Sequence, residues 1–477
     1  MNSRILIYLL TGIITFTACK TQNPVLQPEE KINLPEKFSN SPADTLTLAA
    51  LPWKQFFPDK TLQGYIQTAL QNNHSFQQTV ERMQQASVVL KMNKNILLPE
   101  INGTAQTGVQ KFGDYTMDGA GNKGTAGVPD PYTNFGLGVV FSWEADIWGK
   151  LNNKKRAAYS RWMSSVEATR LAQSVLISEL AANYFRLIEL DKQQSILENE
   201  IKKYDEFVGL TTILKKEGEA TQLAVDQFET RKLKLEGLVL KNKLEIEQYE
   251  HAIALLTGVL PFEVKRMNFE EMKNISFTNA YGIPVQLLQY RPDIRSSEHL
   301  LLASKADVSS ARAAMFPSLR LGAGAGWDSW NLGKLFKSPA SLVYDLSAGI
   351  TLPIFKQKEL KTIWENSKSD QRIALSQYHE TVIKAYIEVT DLISEIEITR
   401  QRVELKDKEL TIHQRSVDNA NELFRLYFVD YLEVLSAQEG YLECELEQTS
   451  LISQKAIAQS MLYRALGGGY SEGTHTN

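Results

Sequence analysis

Reactive side chains at fixed spacing are the first requirement for metal binding or catalysis, and this 477-residue sequence supplies few of them. Its six histidines, at positions 74, 251, 299, 379, 413 and 475, show no HExxH or comparable metal-ligand spacing. The glycines at 322, 324 and 326 resemble a nucleotide-binding loop, but they alternate with apolar residues and no helix start follows them. No nucleophile elbow or phosphate-binding loop occurs. We therefore expect no catalytic residues, no metal site and no cofactor.

The two cysteines have different settings: Cys444 lies in a helical pattern as a small packed residue, whereas Cys19 points to covalent lipid attachment. Cys19 closes the sequence FTAC, at the end of a largely apolar stretch from Ile5 to Ala18. That stretch is too short to span a bilayer as a helix, but it suits a secretion signal. Since small residues before a cysteine resemble a bacterial lipobox, we predict a signal peptide at 1–18 and a lipidated, proline-containing arm at 19–60. The alternative is an ordinary signal peptide whose cysteine is incidental.

Composition and charge exclude several further classes of protein. Apolar residues make up 43% of the chain, which is enough for a hydrophobic core and argues against a disordered protein. A mean hydropathy of −0.26 and the lack of an apolar run of about 18 residues exclude a bundle of membrane-spanning helices. The formal net charge is −4, from 52 basic and 56 acidic side chains, so we do not expect the basic surface that nucleic-acid binding requires.

Four segments alternate between apolar and small or polar residues as strands do, at about 98–112, 133–146, 316–328 and 341–354. They are about ten residues long and are edged by aromatic residues, which is the signature of a transmembrane β-barrel. A half-buried sheet in a soluble sandwich would alternate in the same way. We favour the barrel. Because four strands cannot close without leaving unpaired edges in lipid, several chains must build it.

Four other segments have the pattern of unusually long helices, at about 151–214, 221–257, 359–426 and 431–466. In the third segment, an apolar residue recurs every seven positions, at Leu375, Val382, Val389, Ile396, Val403, Leu410, Val417 and Phe424. This repeat indicates a coiled-coil seam, and the break between paired segments lets the second helix fold back on the first. The stretch Leu151–Leu214 alone would form a helix of roughly 96 Å. A rod or tube needs such a helix, whereas a globular domain does not.

The same order of elements occurs twice, which indicates an internal duplication. Its landmarks recur at a nearly constant offset, for example at Gly258 and Gly468 near the ends of the two units. We therefore divide the remaining chain into a first repeat at 61–258, a connector at 259–283, a second repeat at 284–468 and a C-terminal tail at 469–477.

Three motifs in the second repeat resemble those of a known family. The sequence GIPVQLLQYRPDI at 282–294 is similar to the passage that opens the second repeat of the outer-membrane efflux family, with Tyr290 where that family usually has an arginine. The sequences FVDYLEVLSAQ at 428–438 and ALGGG at 465–469 are similar to its later turn and its ending, with Tyr470 in place of a tryptophan. The resemblance covers nearly the whole chain beyond the N-terminal arm. It points to the lipid-anchored, OprM-like branch of the TolC-like channels in resistance–nodulation–division efflux systems.

The resemblance implies an α+β membrane protein that acts as a homotrimer. Three chains with four strands each would form one 12-stranded barrel in the outer membrane, continued by an α-helical coiled-coil tube across the periplasm. Such a protein would be a passive exit duct for small molecules such as drugs, held by its lipid in the cell outer membrane. An inner-membrane resistance–nodulation–division transporter would drive it through a periplasmic adaptor protein.

The resemblance also implies a gate, because family members narrow the periplasmic end of the tube with acidic rings at the start of the last helix. The matching residues here are Glu433 and, one turn earlier, Asp430, whereas Ser436 replaces a second acid that some members have. The alternative is that these acids are solvated and are favoured only by the helix dipole. For the whole protein, the alternatives are a lipid-anchored periplasmic coiled-coil scaffold without a channel, and an export duct for metals or peptides.

Overall fold

In the computed structural model, the described residues are 32–38, 47–124, 127–277, 280–426 and 428–470. The predicted signal peptide and Cys19 lie outside the described residues. The chain divides into two compact units. The described residues of unit 1 lie within 84–164 and 298–377, and those of unit 2 lie within 32–83, 165–297 and 378–477.

Long helices and short strands make up most of the described chain. In chain order, they are α1 (Lys60–Asn72), α2 (His74–Asn95), β1 (Glu100–Gln110), β2 (Tyr132–Ala145), α3 (Lys150–Lys216), α4 (Gln222–Thr257), α5 (Pro292–Ala313), β3 (Ser318–Ser329), β4 (Leu342–Thr351), α6 (Gln357–Arg425) and α7 (Tyr431–Ala465). Shorter helices occupy Trp53–Phe56, Met117–Gly124, Phe269–Lys273 and Leu287–Tyr290, and 3-10 turns occupy Leu48–Ala50, Pro284–Gln286 and Leu332–Lys334. In the part of the chain that the structure describes, no helix combines the length and the hydropathy needed to cross a membrane.

Unit 1 contains a four-stranded antiparallel sheet with the strand order β1-β2-β3-β4. Its register pairs Leu137 with Trp327, and Ala323 with Leu346. Directly paired residues share a face of an antiparallel sheet, so most of the apolar residues of the four strands meet on one face. Most of the glycines and all of the charged residues meet on the other face. The alternation in the sequence therefore separates two sheet faces, an apolar face and a glycine face.

Both outer strands of this sheet are open to solvent in a single chain. Every residue of β1 and β4 is exposed, and no other described strand pairs with either of them. On the apolar face, the Leu346 side chain is 87% exposed and that of Ile350 is 75% exposed. The strand β4 stops short of the predicted end at 354, because Pro353 has no N–H to donate to a neighbouring strand.

Strands β2 and β3 approach each other closely on the glycine face. Gly138 and Gly326 are directly paired. A Cβ added at Gly138 would lie 2.9 Å from the carbonyl oxygen of Ala325, so a side chain does not fit at this pair. The crowding at this pair lies on the glycine face.

Aromatic and acidic side chains fix the junction between strands and helices in unit 1. Trp148 donates from Nε1 to the carbonyl oxygen of Pro317 at 2.7 Å, and its ring stacks on Phe316 with the centroids 5.0 Å apart. Asp146 accepts hydrogen bonds from two N–H groups in the first turn of α3, including that of Leu151 at 2.9 Å. These contacts satisfy free donors at the helix start and hold the end of β2 beside the start of β3.

Unit 2 is built from two helical hairpins, which we call the first hairpin (α3 from residue 165, with α4) and the second hairpin (α6 from residue 378, with α7). The seven-residue repeat of α6 faces the interior: Val382 and Val389 are fully buried, and Ile396 is 5% exposed. The first hairpin closes through aromatic rings, with the centroids of Tyr204 and Phe228 6.1 Å apart. Residues of α3, α4 and α7 share one hydrophobic cluster, formed by Leu197, Tyr204, Phe228, Leu235, Val239 and Leu435.

Glycines in the left-handed conformation follow the last helix of each hairpin, Gly258 after α4 (φ 69°) and Gly467 after α7 (φ 100°). A Cβ at Gly258 would crowd the carbonyl oxygen of Asn72, and one at Gly467 would lie 2.5 Å from that of Tyr290. The two hairpins therefore end in the same backbone contact, which supports an internal duplication. By this contact Gly467 corresponds to Gly258, one residue before the Gly468 that the sequence offset pairs with it, and the duplication itself stays a prediction.

Candidate functional site

The turn of the second hairpin carries the two acids that the sequence singles out. Asp430 is the N-cap of α7, and its Oδ1 accepts a hydrogen bond from the N–H of Leu432 at 2.7 Å. Glu433 lies in the first turn of the helix, close to Asp430. The side chain of Glu433 and, after it, the N–H of Leu432 lower the pKa of Asp430 below its ordinary value. Both acids are exposed, so the structure brings the predicted pair together at the surface.

The capping role of Asp430 is a local reason for an acid at this position. An N-cap side chain satisfies one of the free N–H groups of the helix, and a nearby negative charge is favoured by the helix dipole. Glu433 lies in the first turn of the same helix, so the helix dipole favours its negative charge as well. Ser436 is exposed one turn beyond Glu433. This face of α7 therefore presents two acids followed by a hydroxyl group.

A cavity of about 380 Å³ separates the turn of the first hairpin from the turn of the second. Its wall is mostly apolar, and its charged members are Glu219, Arg425 and Asp430. The other lining residues are Leu210, Thr211, Leu214, Ala220, Thr221, Ala224, Phe424, Val429 and Tyr431. Sequence periodicity does not predict this cavity, because two turns that are distant in the chain form it. The turns therefore leave unfilled space between them at this point.

Beside the cavity, the start of α7 is attached to the first hairpin. The ring centroid of Tyr431 lies 6.2 Å from that of Phe228, which in turn stacks on Phe207 at 5.2 Å. About two turns further on, Glu439 forms an ion pair with Arg231 at 2.6 Å. The start of α7 therefore has one side that is held by α4 and another that borders the cavity.

The glycine face of the sheet is a second candidate surface, and it is acidic. Its charged side chains within the four strands are Glu100, Glu144, Asp328, Asp345 and Arg320. Nη2 of Arg320 lies 3.9 Å from Oε2 of Glu144, so the one positive charge of this face pairs with one of its carboxylates. A carboxylate oxygen of Asp345 occupies the space that a side chain at Gly324 would need. Carboxylates therefore lie beside glycines on this face, and they give it a net negative charge.

Helix α6 has a second apolar stripe, which is exposed. Ile387 is 50% exposed although Val389, two positions along, is fully buried. Two positions on an α-helix are about 200° apart around its axis, so these residues lie on opposite faces. The exposed stripe continues at intervals of seven or eleven residues, through Ile398, Leu405, Ile412 and Leu423. The seven-residue repeat in the sequence predicts the buried stripe but not this one.

The remaining candidates in the described chain are a metal-binding cluster and the thiol of Cys444. Among the described residues, no group of three or more His, Cys, Asp and Glu side chains could hold a metal ion. Cys444 is buried in α7, and burial raises the pKa of its thiol. Its Sγ lies 3.9 Å from the carbonyl oxygen of Lys406 on α6, so it packs between the helices of the second hairpin.

Comparison with known proteins gives a consistent result. Residues 65–259 and 283–468 match the sequence profile of the family described as Outer membrane efflux protein. The chain is 25% identical over 454 residues to the Cation efflux system protein CusC of Escherichia coli, covering 94% of this chain and 95% of that protein. It is 28% identical over 453 residues to the Toluene efflux pump outer membrane protein TtgC of Pseudomonas putida, covering 92% and 90%.

Solved structures share the fold. A CusC crystal structure superposes with a TM-score of 0.80 at 24% identity, covering 91% of this chain and 97% of that chain. The open state of the Neisseria gonorrhoeae MtrE outer membrane channel also superposes with a TM-score of 0.80, at 23% identity, covering 94% and 98%. These similarities extend over both units and are not confined to one motif.

Proposed function

The chain belongs to the outer membrane efflux protein family, and from this premise we propose that it is the outer-membrane channel of a tripartite efflux pump. In this proposal, three chains form a passive exit duct for small molecules such as drugs. An inner-membrane resistance–nodulation–division transporter supplies the energy, and a periplasmic adaptor protein connects the transporter to the duct. The protein itself carries out no chemical step.

The observation that carries the proposal is the sheet of unit 1, which is incomplete in one chain. Its edge strands β1 and β4 are fully exposed, and lipid offers no hydrogen bonds to such edges. Pairing β1 of one chain with β4 of the next satisfies both edges, and three chains of four strands close a 12-stranded barrel. The apolar face then meets lipid, and the acidic glycine face lines the duct.

The long helices of unit 2 support the same assembly independently. An exposed stripe of isoleucine and leucine along α6, opposite the stripe that is already buried, needs an apolar partner. A neighbouring copy of the chain supplies one in a trimer, because each helix of a closed tube has a neighbour on both sides. We therefore assign the stripe that contains Ile387 and Leu405 to the contact between chains.

We place the gate of this duct at the turn of the second hairpin. Around a three-fold axis, Glu433 and Asp430 would form a ring of six carboxylates at the periplasmic end of the tube. Such a ring favours cations and binds multivalent ones, as acidic rings do in other pores. The cavity between the two hairpin turns supplies the free space that an outward movement of the second hairpin requires.

Membrane attachment in this proposal has two parts. The barrel holds the trimer in the cell outer membrane, with the helices extending into the periplasm. Cys19, which carries the lipid, adds an anchor at the N-terminus of each chain after the signal peptide is removed. A single lipid chain gives only marginal membrane binding, so the barrel provides the dominant attachment.

A second candidate substrate class is metal cations. One relative is named a cation efflux system protein, and the glycine face of the sheet bears four acids and one base. A passive duct takes its substrate from the transporter, so one lining can serve cations or cationic drugs. A lipid-anchored scaffold without a channel remains the alternative outside transport.

Purified, detergent-extracted protein reconstituted in planar bilayers tests the proposal. We expect discrete steps of single-channel current, and an oligomer in electrophoresis that dissociates to monomer only on heating. A monomer that produces no current steps would contradict the channel and favour the scaffold. Loss of the adaptor or of the transporter from a cell that exports a given compound should abolish export even when the channel is present.

A further inference from the structure

Arg291, in the RPD sequence near the start of the second repeat, is buried at the far end of α7 from the gate acids. It is 6% exposed. Its Nη1 donates to the carbonyl oxygen of Ala465, the last residue of α7, at 2.6 Å and lies 2.8 Å from Oε2 of Glu388 on α6. Its Nε and Nη2 contact the two carboxylate oxygens of Asp293 at 3.0 and 2.6 Å. The other oxygen of Glu388 pairs with Arg464 of α7.

These five groups connect three helices through one guanidinium group. Asp293 lies at the start of α5, Glu388 lies in α6, and Arg464 and Ala465 end α7. A planar guanidinium can contact a carboxylate through two donors and still donate elsewhere, which an ammonium group cannot do in the same geometry. Arg291 is buried and its carboxylate partners are only partly exposed, so removing one partner is unfavourable and the cluster fixes the relative positions of α6 and α7.

The first hairpin contains a neutral counterpart of this cluster. Asn73, between α1 and α2, donates from Nδ2 to the carbonyl oxygen of Leu256 near the end of α4 at 2.9 Å. Its Oδ1 accepts from the N–H of Phe76 at 2.8 Å. Asn73 and Arg291 thus hold equivalent helix ends, beside the equivalent glycine contacts of the two hairpins. In the described residues, the contact made by Arg291 includes an ion pair to α6, the other helix of its hairpin. The contact made by Asn73 includes no ion pair.

We propose that Arg291 is a positioning residue that sets the closed position of the second hairpin, and hence of the gate at its turn. This inference rests on the proposed function, because it requires a duct that is gated by that hairpin. Helix α7 extends for about 50 Å between the Arg291 cluster and the gate acids. Each degree of tilt about the cluster therefore moves the start of α7 by about 0.9 Å. A small loosening at Arg291 becomes a displacement of several ångströms at the gate.

The test compares Arg291→Met with Asn73→Ala as the matched control, using the purified full-length trimer in planar bilayers. Arg291→Met should raise the ratio of open to closed time by about 2- to 30-fold, the range that coupling changes of about 0.5–2 kcal/mol produce. Arg291→Lys should give a smaller rise, because an ammonium group keeps the charge but not all the contacts. Asn73→Ala should leave gating unchanged. Heat-modifiable electrophoresis checks that each variant remains trimeric.

Each outcome decides between positioning and simple structural support. A trimeric Arg291→Met protein with unaltered gating would overturn the inference, even if its melting temperature falls. If Arg291→Met does not assemble, Glu388→Gln decides, because it removes the ionic link to α6 while Arg291 keeps Asp293 and Ala465. Normal gating in Glu388→Gln would then overturn the inference. An unaltered protein that conducts no current would contradict the proposed function instead, so the two failures are distinguishable.

Discussion

Replacing Leu346 by arginine should remove the folded trimer from the membrane. Leu346 is the fifth of the ten residues of β4, so it lies near the middle of the strand, and it pairs with Ala323 on the apolar face. An arginine on the lipid face near the bilayer midplane costs about 2–4 kcal/mol. A trimer carries three copies, for a total of about 6–12 kcal/mol. This total is comparable with the whole stability of an ordinary domain, about 5–15 kcal/mol.

The adjacent residue provides the matched control. Ser347 points to the glycine face and pairs with Gly322, which has no side chain to obstruct a longer neighbour. Ser347→Arg adds the same charge one residue away but on the side assigned to the duct, so we expect it to retain the trimer. The assay is heat-modifiable electrophoresis of detergent-extracted outer membranes, with the trimer band measured against the unaltered protein. Equal tolerance of the two arginines, or selective loss in Ser347→Arg, would refute the assignment of the faces.

Three further changes test other parts of the molecule. Glu433→Gln combined with Asp430→Asn should raise conductance or lower cation selectivity in planar bilayers. Trimer stability should be unchanged, because asparagine still caps α7. Unaltered reversal potentials and unaltered block by multivalent cations would place these acids outside the pore. Since the pKa of Asp430 is lowered, its carboxylate stays charged as the pH falls through the ordinary aspartate range, so the cation selectivity of the unaltered protein should disappear only below that range. Cys19→Ser should abolish acyl labelling and processing at that site while part of the trimer still inserts, and surviving label would contradict the lipobox interpretation. Gly467→Ala should lower the melting temperature, because its Cβ would lie 2.5 Å from a carbonyl oxygen. Gly237→Ala is the control: Gly237 has open space around it in α4, so alanine should stabilise that helix by about 0.5–1 kcal/mol. Equal effects of the two changes would contradict the contact at Gly467.

Periodic features of the fold could be predicted from the sequence. The seven-residue repeat identified Val382 and Val389 as buried, since a helix that packs along its length must repeat its apolar side. Alternation in β3 and β4 identified the two sheet faces for the same reason, and the register confirms that Ala323 and Leu346 share one of them. The resemblance to the outer membrane efflux family is confirmed by the family match. Trimer formation, the gate and the lipid anchor stay predictions.

The parts that could not be predicted depend on contacts between distant segments. The motif predicts a gate acid at Asp430, but it does not predict that the Asp430 side chain accepts a hydrogen bond from the N–H of Leu432 and caps α7. Arg291 was recognised only as part of a motif, because its partners on α6 and α7 lie far along the chain. The exposed stripe on α6 was missed because it lies on the face opposite the stronger seven-residue repeat, as at Ile387. Local patterns specify which side of a helix is apolar, but not which partner meets it.

The paired glycines of β2 and β3 have a consequence for how many chains can join. A ring of identical subunits closes only when each contributes the right fraction of a full turn, and otherwise the chains continue as an open filament. In a three-membered ring, each sheet must curve through a third of a circle. A Cβ at Gly138 or Gly326 would meet the backbone of the other strand, so these glycines let β2 and β3 approach closely. If three chains close the ring, an alanine at either glycine should push the two strands apart, change the arc that each sheet contributes, and produce larger or unclosed assemblies.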